Sequence, residues 1–208
     1  VSDAVAGLRA ALDGGGLALV PTDTVYGLAA ALDRPEGVAA LYALKGRPRS
    51  QPCQVLVYSA ALLHEALAPL DPRTRAAVLA LLPGPATCLV PDPAGRFAAA
   101  AGRPGGSVGV RAPRMEGPVT ALDLFLVATS ANEPGGPDPD RLDAIPERIR
   151  EGVAAELDLG VLPGTASAVV DLREVAAGGP ARLLRPGPDP DAVVAALNRP
   201  GVQVERPG

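Results

Sequence analysis

Short apolar runs, each closed by glycine, proline or a polar loop, alternate along this chain with stretches of helical periodicity. That alternation limits the fold more than any single motif does. Leu17 to Val20, Gln54 to Tyr58, Thr87 to Val90, Ser107 to Arg111 and Leu124 to Ala128 have the length of buried strands. Between them, Ser2 to Asp13 sets Val5, Leu8 and Leu12 on one helical face, with Gly14-Gly15-Gly16 as its stop. Pro35 to Leu44 repeats the pattern with Val38, Leu41 and Leu44, and helices are also expected over Ala60 to Leu67, Pro72 to Leu82, Arg141 to Arg150 and Asp191 to Leu197. Shorter strands are expected at Glu156 to Leu159, Ala168 to Leu172 and Ala181 to Leu184, and the stretch from Pro91 to Gly106 reads as a long loop with one helical turn. Strands and helices mixed in this way predict an α/β fold, a mixed and partly parallel sheet covered by helices. The expected organisation is one domain over residues 1–198, with residues 199–208 a short flexible tail.

Composition narrows the chemistry. The 208 residues are 48% hydrophobic but only 2% aromatic, so the core must be leucine, valine and alanine. Gly and Pro number 24 each but fall between apolar runs, as turns do, and form no disordered block. A net charge of −4 excludes a globally basic surface of the kind that coats nucleic acid, and leaves room for a local cationic pocket. No apolar run reaches the ~18 residues of a membrane span, the N-terminal stretch lacks the pattern of a signal peptide, and the cytoplasm is the expected compartment. Cys53 and Cys88 lie in or beside apolar runs and are expected to be buried free thiols. His64 is the single histidine, in the helix-like LLHEAL, which argues against a Ser-His-Asp triad and rules out a multi-histidine zinc site.

Against this sparse background, polar groups concentrate in a few places. PTDTVYGL, Pro21 to Leu28, reads as a loop leaving the first strand and packs two threonines, a carboxylate and a phenol into eight positions. LKGRPRS, Leu44 to Ser50, carries Lys45, Arg47 and Arg49, and Lys45 is the only lysine among 19 basic residues. A compact ammonium beside a planar guanidinium suits phosphate, although a solvated helix end explains the lysine equally well. No GxxxxGK[ST] and no GxGxxG is present, so any nucleotide would be held by side-chain cations, with Mg²⁺ bridging phosphates. TSAN, Thr129 to Asn132, follows an apolar strand and brings a hydroxyl and an amide close together, as either a phosphate contact or a helix cap. Arg111 closes SVGVR, placed either to grip a carboxylate in a cleft or to sit on a rim.

In order, PTDTVYGL, KGRP, PGPAT, VGVRAP, ATSAN, SAVVD and LRPG resemble the YrdC family, the threonylcarbamoyl-AMP synthases of tRNA modification, over roughly residues 14–187. The resemblance implies a single α/β domain with a twisted sheet and a large concave cleft. It implies an ATP-dependent nucleotidyltransferase that takes L-threonine, bicarbonate or CO₂, and ATP with Mg²⁺, and gives threonylcarbamoyl-adenylate and pyrophosphate. A partner tRNA-modifying transferase would use that product, and tRNA or double-stranded RNA is a further possible partner. Matched residue by residue, Lys45 and Arg47 would grip the triphosphate and carry catalysis, with no metal held by protein ligands. Ser130, Asn132 and Arg185 would contact the nucleotide, and Thr24, Arg111 and Ser167 the threonine.

Several positions depart from the family pattern: Gln51, Cys53 after Pro52, Leu82 before PGP, Glu133-Pro134-Gly135-Gly136 after SAN, and Ala168 after Ser167. The chain is also expected to lack the extra C-terminal domain of longer members. Competing readings are a YciO-like paralogue without synthase activity, an RNA-binding module on the same fold, and a carbamoyl-transfer enzyme of the hydrogenase-maturation type. The last is usually much longer and zinc-fingered, whereas this sequence has no CxxC spacing.

Overall fold

A computed structural model describes residues 2–102 and 105–206. Arg103 and Pro104 of the expected long loop, and Pro207 and Gly208 of the expected tail, lie outside the described residues.

The strands are β1 (Ala18–Val20), β2 (Gly27–Ala31), β3 (Gln54–Leu56), β4 (Ala86–Pro91), β5 (Ser107–Arg111), β6 (Leu126–Ser130), β7 (Ala155–Glu156), β8 (Ala168–Asp171), β9 (Ala181–Arg185) and β10 (Val204–Glu205). The helices are α1 (Ser2–Asp13), α2 (Pro35–Leu44), α3 (Ala60–Leu67), α4 (Pro72–Leu81), α5 (Ala98–Ala101), α6 (Glu147–Glu151) and α7 (Pro190–Asn198). Several helices begin where the sequence supplies a cap. Ser59 Oγ accepts from Leu62 N, Asp71 from Arg73 N and Thr74 N ahead of Pro72, and Asp189 from Ala192 N ahead of Pro190.

The ten strands among the described residues join one mixed sheet in the order β10-β9-β8-β4-β5-β3-β6-β2-β1-β7. The two-residue period of a strand divides its side chains between two faces. On one face Leu19, Leu28, Val55, Cys88, Val110, Val127 and Val170 share a core with the leucines of α2, α3, α4 and α7. On the other face α1 covers only the β1-β2-β6 end, where Val5, Leu8 and Leu12 pack on Ala18, Val20, Ala29, Ala31 and Ala128. The remainder of that second face, over β3, β5, β4 and β8, forms the floor of a cleft.

Four sequence expectations change. PTDTVYGL is not all loop: Gly27 and Leu28 open β2, which pairs antiparallel with β1 from Val20↔Gly27. GLAAA has no β-branched residue and no alternation, yet all five residues are buried. Their small side chains let α1 and α2 pack closely on the two faces, so tertiary context overrides propensity. The helix expected over 141–150 is broken at Pro146, leaving a 3₁₀ turn at Leu142–Ala144 and the short α6. The strand expected at Leu124–Ala128 is shifted to Leu126–Ser130, which carries the first residues of TSAN into the sheet. Lastly, the described part of the tail is not frayed. Val204 and Glu205 pair with Ala181 and Arg182, and Ala181 N donates to Gln203 O at 2.8 Å.

Candidate active site

The cleft encloses about 380 Å³. Its floor follows from register. Gly109 of β5 lies between Gln54 of β3 and Leu89 of β4, Gln54 pairs on its other side with Ala128 of β6, and Thr87 pairs with Arg111 and Val169. These residues all face the same way, so the cleft is the uncovered half of the sheet face.

Three loops rise at its ends. PTDTVY is the β1–β2 hairpin loop. Thr22 Oγ1 accepts from Thr24 N and Val25 N and donates to Val25 O at 2.7 Å, so the loop is held by its own hydroxyl. The KGR turn ends α2, where Lys45 N still donates to Leu41 O before Gly46 turns left-handed at φ +59°. The SAN turn leaves β6, and Gly27↔Ser130 pairing sets it beside the hairpin loop.

KGR and SAN meet. The Lys45 ammonium donates to the backbone carbonyl and to Oδ1 of Asn132, the latter at 3.0 Å. Ser130 Oγ donates to the same Oδ1 at 2.8 Å, and Asn132 Nδ2 donates to Gly136 O at 2.7 Å. Arg47 donates to Thr129 Oγ1 at 3.1 Å. Lys45 is 4% exposed, which overturns the solvated helix end considered for it. Burial, and then the charge of Arg47, lower its pKa from 10.5 to about 8.

At another end Arg185 donates from Nε to Ser167 O at 2.7 Å and from its terminal nitrogen to Ser167 Oγ at 3.1 Å. Gly187, the glycine of LRPG, has φ +69°, and a Cβ there would lie 2.4 Å from Ala168 N. Only glycine lets the end of β9 sit this close to β8 beside Ser167.

Six of the eight sequence-nominated residues line the cleft: Thr24, Arg47, Arg111, Ser130, Ser167 and Arg185. Asn132 stands one hydrogen bond beyond Ser130, and Lys45 one further, on Asn132. Arg111 is neither on a rim nor free. It is 1% exposed, and its guanidinium donates to Asp23, to Thr24 Oγ1 at 2.9 Å and to the carbonyls of Ala86 and Gly84 at 3.1 and 3.4 Å. The carboxylate it grips is therefore an internal one, and it clamps the hairpin loop onto β5. Asp23 completes the clamp by accepting from Arg114 N at 2.8 Å. Burial lowers the pKa of Arg111, opposed by the Asp23 charge.

Sequence reading missed Gln54, Thr87, Thr129 and Asp138, which also line the cleft. Thr87 stood inside PGPAT, but only strand register shows that its side chain faces the floor. Of the departures, Cys53 is buried in the cleft wall with its sulfur 3.7 Å from an Arg47 nitrogen, whereas Gln51 is exposed. Cys53 and Cys88 are both free thiols, and His64 lies on the exposed side of α3.

The cleft is thus cationic within an acidic protein: Arg47, Arg111 and Arg185 line it, Lys45 adjoins it, and Asp138 is the carboxylate in its lining. The profile of the Sua5/YciO/YrdC family, described as telomere recombination, matches residues 10–187. This chain belongs to that family. Family membership extends to sequence relatives. A Mycobacterium leprae protein assigned as a threonylcarbamoyl-AMP synthase is 35% identical over 200 residues, covering 93% of this chain and 87% of the relative. The family fold is also seen in solved structures. The structure of Pyrococcus abyssi Sua5 complexed with L-threonine superposes with a TM-score of 0.80 at 27% identity, covering 99% of this chain but 60% of that longer one. E. coli YciO superposes at 0.71 with 18% identity, covering 91% of both chains, which is a likeness of fold alone.

Proposed function

We propose that this chain is a threonylcarbamoyl-AMP synthase, a transferase that condenses L-threonine, bicarbonate or CO₂, and MgATP to threonylcarbamoyl-adenylate and pyrophosphate. The observation that carries this reading is the meeting of KGR with SAN at one end of a cationic cleft whose other walls are Thr24, Ser167 and Arg185. One site then holds a polyanion and a small amino acid within reach of each other.

The chemistry asks for little proton transfer. The threonine amine attacks CO₂, loses one proton and becomes a carbamate. A carbamate oxygen attacks the α-phosphorus of ATP, the bond to the β-phosphate breaks, and pyrophosphate leaves with the electron pair. Two anions must approach, so positioning and charge compensation carry the rate. Lys45 and Arg47 compensate the leaving pyrophosphate, and Ser130 and Asn132 order that end. Arg185 takes the nucleotide from the opposite wall. Thr24 and Ser167 orient the amino acid, with Arg111 supplying positive charge from within the wall. Mg²⁺ enters as counterion of the triphosphate. Among the described residues no three His, Cys, Asp or Glu side chains are grouped to cage an ion; Mg²⁺ would arrive with the triphosphate and offset its charge, and Asp138 is the carboxylate of the cleft lining that would be available to it.

The product is consumed by a tRNA-modifying transferase in this reading. Among the described residues no helix is long and apolar enough to cross a membrane. The deciding experiment is pyrophosphate release from MgATP and bicarbonate with and without L-threonine. Strict threonine dependence is expected. Absence of release from folded protein would move the assignment to a YciO-like or RNA-binding role, and salt-dependent RNA binding without ATP turnover would identify the latter.

A further inference from the structure

Gln54 belongs to none of the motifs that carry the resemblance, yet it lines the cleft floor. It opens β3, between Gly109 of β5 and Ala128 of β6. A directed chain of hydrogen bonds ends on it. Thr87 Oγ1 donates to Gln54 Oε1 at 2.9 Å, so in its 3.2 Å contact with Ser167 Oγ the serine is the donor, and Arg185 donates to Ser167 Oγ at 3.1 Å. Oε1 is therefore the chain's terminal acceptor. The other half of the amide, Nε2 with its two hydrogens, has no protein acceptor among the described residues and belongs to a side chain lining the cleft.

The bridge from Thr87 to Gln54 spans β5 at Gly109, where a side chain would crowd it. A Cβ there would lie 3.1 Å from Thr87 Cγ2 and 3.4 Å from Gln54 Cβ. Gly109 itself lines the cleft between these two side chains. Most nearby floor residues, Leu56, Leu89, Ala128 and Val169, are apolar. A pair of neutral donors fixed in such a setting suits an anionic oxygen that is already flanked by cations, Arg47 toward one end and Arg185 toward the other.

Resting on the synthase reading, we propose that the Gln54 amide, oriented by Thr87, donates to the non-bridging oxygens of the nucleotide α-phosphate. It would stabilise the charge that builds there as the carbamate attacks. Gln54 is then a substrate-contacting residue of the adenylation step, and Thr87 is its positioning residue.

The test compares Gln54→Met, Gln54→Glu and Thr87→Val with the parent protein, with circular dichroism and melting temperature reporting the fold. Two readouts are used: kcat and KM for threonine-dependent pyrophosphate release, and calorimetric affinity for AMP, which carries the same phosphate. Gln54→Met should lower kcat by about a hundredfold, the scale of removing one preorganised donor to a developing anion, with KM for threonine unchanged. Its AMP affinity should fall about tenfold, as for loss of a hydrogen bond to a charged group. Gln54→Glu should be worse in both, because it replaces donors by a like charge. Thr87→Val keeps the amide but frees its rotation and should lower kcat by about tenfold, in keeping with a displaced positioning contact. Parental kcat and AMP affinity in Gln54→Met would overturn the proposal, as would a loss confined to KM for threonine. Should Gln54→Met not fold, parental kcat in Thr87→Val would overturn it. If the parent releases no pyrophosphate, the synthase reading fails and the AMP titration alone decides the role of Gln54.

Discussion

One face of the sheet is used in two ways, and the two halves differ in what their residues do for the protein. Over β1, β2 and β6 that face is alanine-rich and covered by α1, so Val5, Leu8 and Leu12 bury themselves against small side chains. Over β3, β5, β4 and β8 the same face carries Gln54, Gly109, Thr87, Leu89 and Val169 and is left open. The covered half contributes apolar burial. The open half gives up that burial and gains a polar floor. The comparison teaches that the site is an omission from an otherwise ordinary helix-covered sheet, stiffened by hydrogen-bonded clamps where helices would have packed.

The clamp between Arg111 and Asp23 gives the largest test of this view. Arg111→Ala should destabilise the fold by about 3–5 kcal/mol, because it strands a carboxylate that is only partly exposed and two carbonyls. It should also raise the threonine requirement through displacement of Thr24. Denaturant titration and KM for threonine check the two parts. Parental stability would mean that the open half does not depend on its clamps.

The covered half supplies the counterpart. Leu8→Ala should cost about 2–5 kcal/mol, as a fully buried leucine does, and leave KM values unchanged. Leu89→Ala, on a half-buried floor residue, should cost less in stability and more in turnover. Equal effects of both substitutions on melting temperature would erase the distinction between the halves.

Lys45→Ala should lower kcat/KM for ATP by about a hundredfold or more, since in the proposed reading it removes the buried charge that compensates the phosphates, and should leave the protein folded. Pyrophosphate release with circular dichroism checks this, and full activity would remove the phosphate role.

The smallest effect is one of pH. With its pKa lowered to about 8, Lys45 should lose its proton as pH rises through that value, so kcat/KM for ATP should fall along a limb near pH 8. Lys45→Arg should remove the limb, because a guanidinium stays charged. The stability contribution has the opposite sign. Between about 8 and 10.5 the unfolded chain binds more protons at this position than the folded one, so the lysine's contribution to stability rises with pH across that window. A pH-independent kcat/KM through this range would mean that Lys45 is not desolvated in solution.

Much of this molecule was legible in the one-dimensional pattern. The helices α1, α2 and α3 begin and end at the residues that periodicity and caps indicated, and the strand at Ser107–Arg111 likewise. Eight site residues were nominated from motifs, and the structure gathers them around a single cleft. Lys45 and Asn132 stood out because this composition holds so few of their kind, one lysine and two asparagines, whereas the arginines, serines and threonine of the site were marked by their motifs.

The remainder was decided by neighbours in space. GLAAA is a strand only because two helices need its small residues on both faces, and the described tail is ordered only because β9 offers it an edge. Lys45 could have been a solvated helix end until Asn132, 87 residues on, closed over it. Arg111 could have served any carboxylate until Asp23 was found against it. Gln54 carries no local signal and Thr87 only its place in PGPAT, since their roles exist only through the register of β3, β5 and β4 around a glycine. Sequence determines periodicity, caps and the stock of functional groups because these are local or compositional properties. Which groups become partners is a matter of long-range pairing, and that is settled only when the sheet assembles and one half of its face is left uncovered.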